Sequence, residues 1–216
     1  MTANGRMGGK ILADGLKAQG VDAIFGVPGE SFLALLDGLY DQRDTIRFIT
    51  CRQEGGAANM AEAYGKLTGR PGVCVVTRGP GATNASVGLH TAFQDSTPMI
   101  LLVGQVGREM LDREAFQEVN HQIFFSEMSK WSAEIKDASR IPEYLSHAFH
   151  VALSGRPGPV VLSLPEDMLR DVAEVEDAPR AIPVQPAPTM EQMSEVREML
   201  KNAERPLMIL GGSGWS

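Results

Sequence analysis

Two places in the chain combine residue types that could do chemistry. Glu54 falls where the apolar run Ile46, Phe48, Ile49 gives way to a helical pattern, so its carboxylate is fixed at a helix start. Some twenty residues on, Val73 to Val76 run into Thr77-Arg78-Gly79-Pro80-Gly81-Ala82-Thr83-Asn84, two glycines flanking a proline with an amide close behind. Taken singly, a glutamate at a helix start is a solvated residue favoured by the helix dipole. A loop of this composition is, by itself, a turn or a general anion site. Their occurrence in adjacent strand-turn-helix units, with small residues between them, reads instead as one ligand site.

The elements that must position these groups follow from the pattern. The first helix runs from Glu54 to Thr68, with Gly69 as its stop and Pro71 beyond. Its face of Gly55, Gly56, Ala57, Ala58 and Ala61 has almost no bulk, so another backbone or a flat ligand can approach closely. In the second unit, Gly79 and Gly81 can adopt positive φ around a fixed Pro80, and Asn84 is expected in the first turn of the next helix. Both turns are expected at the carboxyl ends of parallel strands, where open α/β sheets place ligands.

GVPGESF at 26–32, RQEGGAANMAEAYGKLTGRPGV at 52–73, TRGPGATN at 77–84 and AFQE at 115–118 together resemble the aminopyrimidine-binding domain of thiamin diphosphate enzymes. The branch resembled most is that of acetolactate synthase and pyruvate oxidase, and the resemblance covers about three quarters of the chain. It implies that Glu54 is catalytic, bonding a pyrimidine ring nitrogen. It also implies that Pro28, Gly29, Thr77, Pro80 and Asn84 surround the cofactor, and that Phe116 and Gln117 face the substrate, a 2-keto acid. From the residues alone, Phe116 reads equally as core and Gln117 as a surface amide.

One departure concerns the reaction. Many acetolactate synthases carry His before the glutamate, and here that position is Gln53, which His121, His147 and His150 do not replace. The family holds the diphosphate through Mg²⁺ on a Gly-Asp-Gly segment and a later Asn in a separate domain. Neither Asp14-Gly15 nor Asp37-Gly38 is preceded by Gly, so no metal ligand is expected in this chain. The resemblance therefore implies half a site, completed by the diphosphate-binding domain of a second subunit in a homodimer or homotetramer, with the small face of the first helix packing at that interface. Whether FAD is also bound is left open.

The rest of the chain fits an α/β fold, a doubly wound, mostly parallel sheet with helices on both faces. Ile11, Leu12 and Leu16 mark a first helix, Val21 to Phe25 a strand, and Phe32, Leu36, Leu39 and Tyr40 the buried side of a second helix. Met99 to Val103, Trp131 to Ile135, a helix over 142–153 and Val160 to Leu164 complete the sheet. Residues 1–164 are read as the pyrimidine-binding domain and the proline-punctuated 165–188 as an interdomain linker. Residues 189–216 are read as the truncated start of a second α/β domain. There Thr189 and Gln192 form a capping box before Met193, Val196, Met199 and Leu200, Pro206 to Leu210 reads as a strand, and GGSGWS as a turn.

A net charge of -7 without a basic cluster argues against nucleic acid and anionic membranes as partners. Cys51 and Cys74 lack metal or redox spacing and read as reduced structural thiols. With no signal core in MTANGRMGGK and no bilayer-length apolar run, a cytoplasmic protein is expected. Two other readings stand beside the enzyme. One is a stand-alone subunit that needs a separate diphosphate-binding chain. The other is a generic nucleotide-binding fold, which gives Glu54 no role.

Overall fold

Strands and helices alternate in the computed structural model, which describes residues 5–184, 186–209 and 211. The elements are β1 (Arg6–Met7), α1 (Gly8–Ala18), β2 (Ala23–Gly26), α2 (Leu33–Asp41), β3 (Arg47–Thr50), α3 (Glu54–Thr68), β4 (Gly72–Thr77) and α4 (Arg78–Gln94). They continue with β5 (Met99–Gln105), α5 (His121–Phe124), β6 (Trp131–Glu134), α6 (Ile141–Leu153), β7 (Pro159–Pro165), β8 (Val172–Ala173) and α7 (Met190–Asn202). Six strands form one sheet in the order β3-β2-β4-β5-β7-β6, all parallel, with Val75 opposite Leu102 at its centre.

Alternation along the central strands divides the core in two. Val73, Val75, Ile100, Leu102, Val160 and Leu162 face Ile11, Leu12, Leu35, Leu145 and Phe149 of α1, α2 and α6. Cys74, Val76, Leu101, Val103 and Val161 face Ala57, Ala58, Ala61, Ala85 and Leu89 of α3 and α4. This is the doubly wound sheet that the sequence pattern demands. Each fully buried large aliphatic residue contributes roughly 1.5–3 kcal/mol. Burial also pushes the Cys74 thiol up; both cysteines are free.

Several expectations need correction. The small-residue face of α3 is not left for another subunit or a flat ligand, because α4 of the same chain packs there. A Cβ placed on Gly88 would stand 2.6 Å from Ala58, and one on Gly55 would stand 3.1 Å from the Asn84 carbonyl oxygen. Only Gly56 of that face opens on space. The run before Glu54 is an edge strand, so Phe48 and Ile49 are half-buried and only Ile46 is fully covered. Tyr40 is 66% exposed, since α2 turns Leu35 and Leu39 toward α1 and leaves Tyr40 about 100° further round.

Within the stretch read as a linker, residues 166–181 are fastened to α1 and β1. The strand β8 pairs antiparallel with β1, and Arg6 bridges Asp14 at 2.7 Å and Asp177 at 3.0 Å. The Ala181 amide donates to Gln19 Oε1 at 2.9 Å. Beyond it, α7 starts at the capping box of Thr189 and Gln192, and Met193, Val196, Met199 and Leu200 along it are exposed. Among the described residues no strand pairs with 206–209, so the strand expected from Pro206 is not formed there. Leu210 and the GGSGWS turn beyond Gly211 lie outside the described residues. Among the described residues no helix is long and apolar enough to cross a membrane.

Candidate functional site

The chain runs from β2 outward to β3 and then returns across β2 to β4, so the strand order reverses between β2 and β4. The loop after β2 enters α2 on one face of the sheet, and β4 enters α4 on the other. A crevice at the carboxyl ends of these two strands is where such a sheet binds ligands. Gly29 and Thr77 lie against one another there. A Cβ on Gly29 would stand 2.5 Å from that of Thr77, so only glycine permits the approach, and the Thr77 hydroxyl is 2.6 Å from that of Ser31.

Glu54 is the first residue of α3, with Gln53 as the cap whose side chain accepts the Gly56 amide. The cap leaves Glu54 half-buried at the helix dipole's positive end. Its Oε2 accepts from Asn84 Nδ2 at 2.9 Å. Thus the two chemical features of the sequence meet directly, because α3 and α4 lie backbone to backbone. The second carboxylate oxygen, Oε1, has no hydrogen-bond partner among the described residues. One oxygen orients the group while the other can accept a proton from, or return it to, a bound ring nitrogen.

The glycine-proline segment is built differently from expectation. It is already helical from Arg78, and Asn84 lies in the second turn. Positive φ occurs at Arg78 (35°), not at Gly79 or Gly81. The glycines serve close approach instead: a Cβ on Gly79 would meet Val119 at 2.8 Å, and one on Gly81 would meet Val76 at 3.2 Å. The Gly79 amide donates to the Gln117 carbonyl at 2.8 Å, which ties the AFQE segment to the start of α4.

Phe116 is 73% exposed, which excludes the core reading, and Gln117 is half-buried with φ of 65°. Pro28 and Pro80 are exposed at the same end of the sheet. Glu118 accepts the amides of Asp112 and Ala115 and holds the irregular loop in shape.

Arg78 was not legible as a site residue. Its buried guanidinium spans Glu30 at 2.7 Å and Glu166 at 2.8 Å, 48 and 88 residues away, and its Nε is buried without a partner. The one local signal was an arginine where a tight turn favours a small residue. Nearby, buried His121 places Nδ1 2.9 Å from Ser163 Oγ and leaves Nε2 unpartnered. Burial lowers its pKa to about 4.

The neutral imidazole should therefore stabilise the fold fully above the ordinary value of about 6.5, with that contribution lost as pH falls toward 4. Urea unfolding followed from pH 7 to pH 4 should show about 3 kcal/mol more loss in the wild type than in His121→Gln.

Among the described residues no group of three or more His, Cys, Asp or Glu side chains is arranged to hold a metal. A pocket of about 300 Å³ opens at the opposite end of the sheet, beside Tyr64, Arg70, Phe149 and Leu153, and none of the residues predicted for the site lines it. The residues predicted for the site occupy an open surface instead. The donor set there fits an aminopyrimidine: a carboxylate with one free oxygen and a fixed amide beside it, at the strand ends where Gly29 and Thr77 meet.

The chain is 37% identical to an acetolactate synthase of Arthrospira platensis, over 95% of this chain and 37% of that protein. It is 37% identical to a probable acetolactate synthase large subunit of Methanocaldococcus jannaschii, over 95% and 36% of the two chains. It is 35% identical to the acetolactate synthase isozyme 2 large subunit of Escherichia coli, over 95% and 37%. The chain thus spans little more than a third of the length of these relatives. Residues 6–124, which carry Gly29, Glu54, Thr77 and Asn84 alike, match the thiamine pyrophosphate enzyme N-terminal TPP binding domain, and the chain belongs to that family.

Proposed function

We propose that this chain supplies the aminopyrimidine-binding half of a thiamin diphosphate enzyme that acts on a 2-keto acid, with acetolactate synthase-like decarboxylation and carboligation. The observation that carries the reading is Glu54 at the start of α3, oriented by Asn84 and left with one free oxygen. The relatives' names support the reaction class.

When bound, thiamin diphosphate would supply a nucleophilic carbon and an electron sink for decarboxylation of a keto acid. The chain's own residues bind and orient it. Glu54 exchanges a proton with the pyrimidine ring nitrogen, and Asn84 fixes the carboxylate against rotation. Gly29 and Thr77 shape the crevice, and Pro28 and Pro80 border it. Phe116 and Gln117 lie toward the substrate, on a loop whose placement depends on the Gly79 to Gln117 bond.

The diphosphate and its Mg²⁺ are assigned to another domain. The open surface around Glu54 is completed by the diphosphate-binding domain of a second subunit in a homodimer or homotetramer. The flavin question stays with those other regions.

The test is conversion of pyruvate to acetolactate and CO₂. A longer protein carrying these residues together with the diphosphate-binding domain should turn over only with thiamin diphosphate and Mg²⁺. Residues 1–216 alone should release no CO₂. Turnover by the longer protein without the cofactor would refute the reading.

A further inference from the structure

We propose that Arg78 is a positioning residue, a clamp that holds three strand-end segments in register around the crevice; its link to the cofactor rests on the function proposed above. The arginine reaches in opposite directions. One terminal nitrogen binds Glu30, which directly follows Gly29, and the other binds Glu166, which directly follows β7. The neighbouring Asp167 is held by Arg108 at 2.8 Å, so the clamp continues into the segment that leads from β5 toward Phe116 and Gln117. A planar guanidinium can bridge two carboxylates from separate elements at once, whereas a lysine ammonium offers a point charge.

Two further observations set this arginine apart from an ordinary surface ion pair. Its side chain is only 8% exposed, and its backbone sits at φ 35°, a left-handed conformation that costs a non-glycine residue energy. Such a conformation persists where its surroundings over-determine it. Here the two carboxylates do so, and the Gly79 amide that follows is thereby aimed at the Gln117 carbonyl. Without the guanidinium, Glu30 and Glu166 would face each other unneutralised, and the start of α4 would be free to relax. Asn84, six residues on, and through it Glu54, would lose its fixed direction.

The test is hydrogen-deuterium exchange on this chain, read by peptide, for wild type, Arg78→Gln, Arg78→Lys and Glu30→Gln. Arg78→Gln should accelerate exchange at least about tenfold in 26–32, 77–84 and 165–170 together, and in 115–120 through the Gly79 amide, with α6 unchanged. Arg78→Lys should recover less than half of the protection. Glu30→Gln, at a carboxylate whose side chain is 69% exposed, should give a weaker effect in the same segments.

In the longer enzyme, Arg78→Gln should also weaken thiamin diphosphate binding at least about tenfold at equal thermal midpoint. A lowered midpoint with unchanged local exchange and cofactor affinity would make Arg78 merely structural and overturn the proposal. So would acceleration confined to 77–79. Coupled loosening of the three segments in a protein whose wild type binds no thiamin diphosphate would leave the clamp standing and remove the function proposed above.

Discussion

Glu54→Gln is expected to lower turnover in the longer enzyme at least about 100-fold, the lower end of what a positioned acid-base group contributes. The substitution keeps size and shape. Its amide oxygen can still accept from Asn84, which now donates to the carboxylate at 2.9 Å. What it loses is a proton that can be given and taken back: an amide donates a hydrogen bond but is neither a useful acid nor a useful base at neutral pH. The fold should be nearly indifferent. Glu54 is half-buried at the first position of α3, and removing its charge forfeits a dipole interaction of about 0.3–1 kcal/mol. The thermal midpoint should therefore shift by no more than about 4 °C. Steady-state kinetics beside a thermal melt separates the two effects, and near wild-type turnover would remove Glu54 from the chemistry.

The second large effect concerns the contact that brings Glu54 and Asn84 together. Gly88 sits in the middle of α4, and a Cβ there would stand 2.6 Å from Ala58 and 2.7 Å from the Asn59 amide nitrogen. The obstacles are largely helix backbone, which cannot rotate away as a flexible side chain would. Gly88→Val must force α3 and α4 apart at a cost of about 3 kcal/mol, the upper part of the usual range for overpacking. For a chain of this size that lowers the thermal midpoint by about 6–12 °C.

The same separation should lengthen the Asn84 to Glu54 bond, so enzyme that remains folded should bind thiamin diphosphate more weakly. Gly56→Ala is the control. Nothing lies within 4 Å of a Cβ at Gly56, and the helical preference of alanine should leave stability unchanged or slightly raised. Equal melting of Gly88→Val and Gly56→Ala would refute the packing argument.

What the sequence reveals and what it hides divide along the range of the interactions. Strands β4 and β5 are continuous apolar runs because both faces are covered, and α3 ends where Gly69 takes φ of 67°, so both follow from local pattern. Glu54 and Asn84 stand out for the same reason, as unusual residues at or just beyond strand-to-helix junctions. Their hydrogen bond does not, because it depends on α3 and α4 sharing a face.

The partner of the small-residue face was equally hidden: glycine and alanine announce that something approaches closely, and not whether it is another subunit or the next helix of the same chain. Gly79 and Gly81 announce a crowded turn but not its dihedral angles, and the left-handed residue is Arg78. The Arg78 clamp and the Arg6 to Asp177 bridge join residues far apart in the chain, with no periodicity to betray them. A proline-rich stretch looks like a free linker until β8 is seen to pair with β1.

The central claim, that Glu54 addresses the pyrimidine ring of thiamin diphosphate, is tested most directly on the bound cofactor itself. Exchange of its thiazolium proton for deuterium, followed by NMR after acid quenching, reports proton control without requiring a substrate. In the longer enzyme the exchange should be at least about 100-fold slower with Glu54→Gln than with wild type at equal cofactor occupancy. Equal rates in the two proteins would contradict the account.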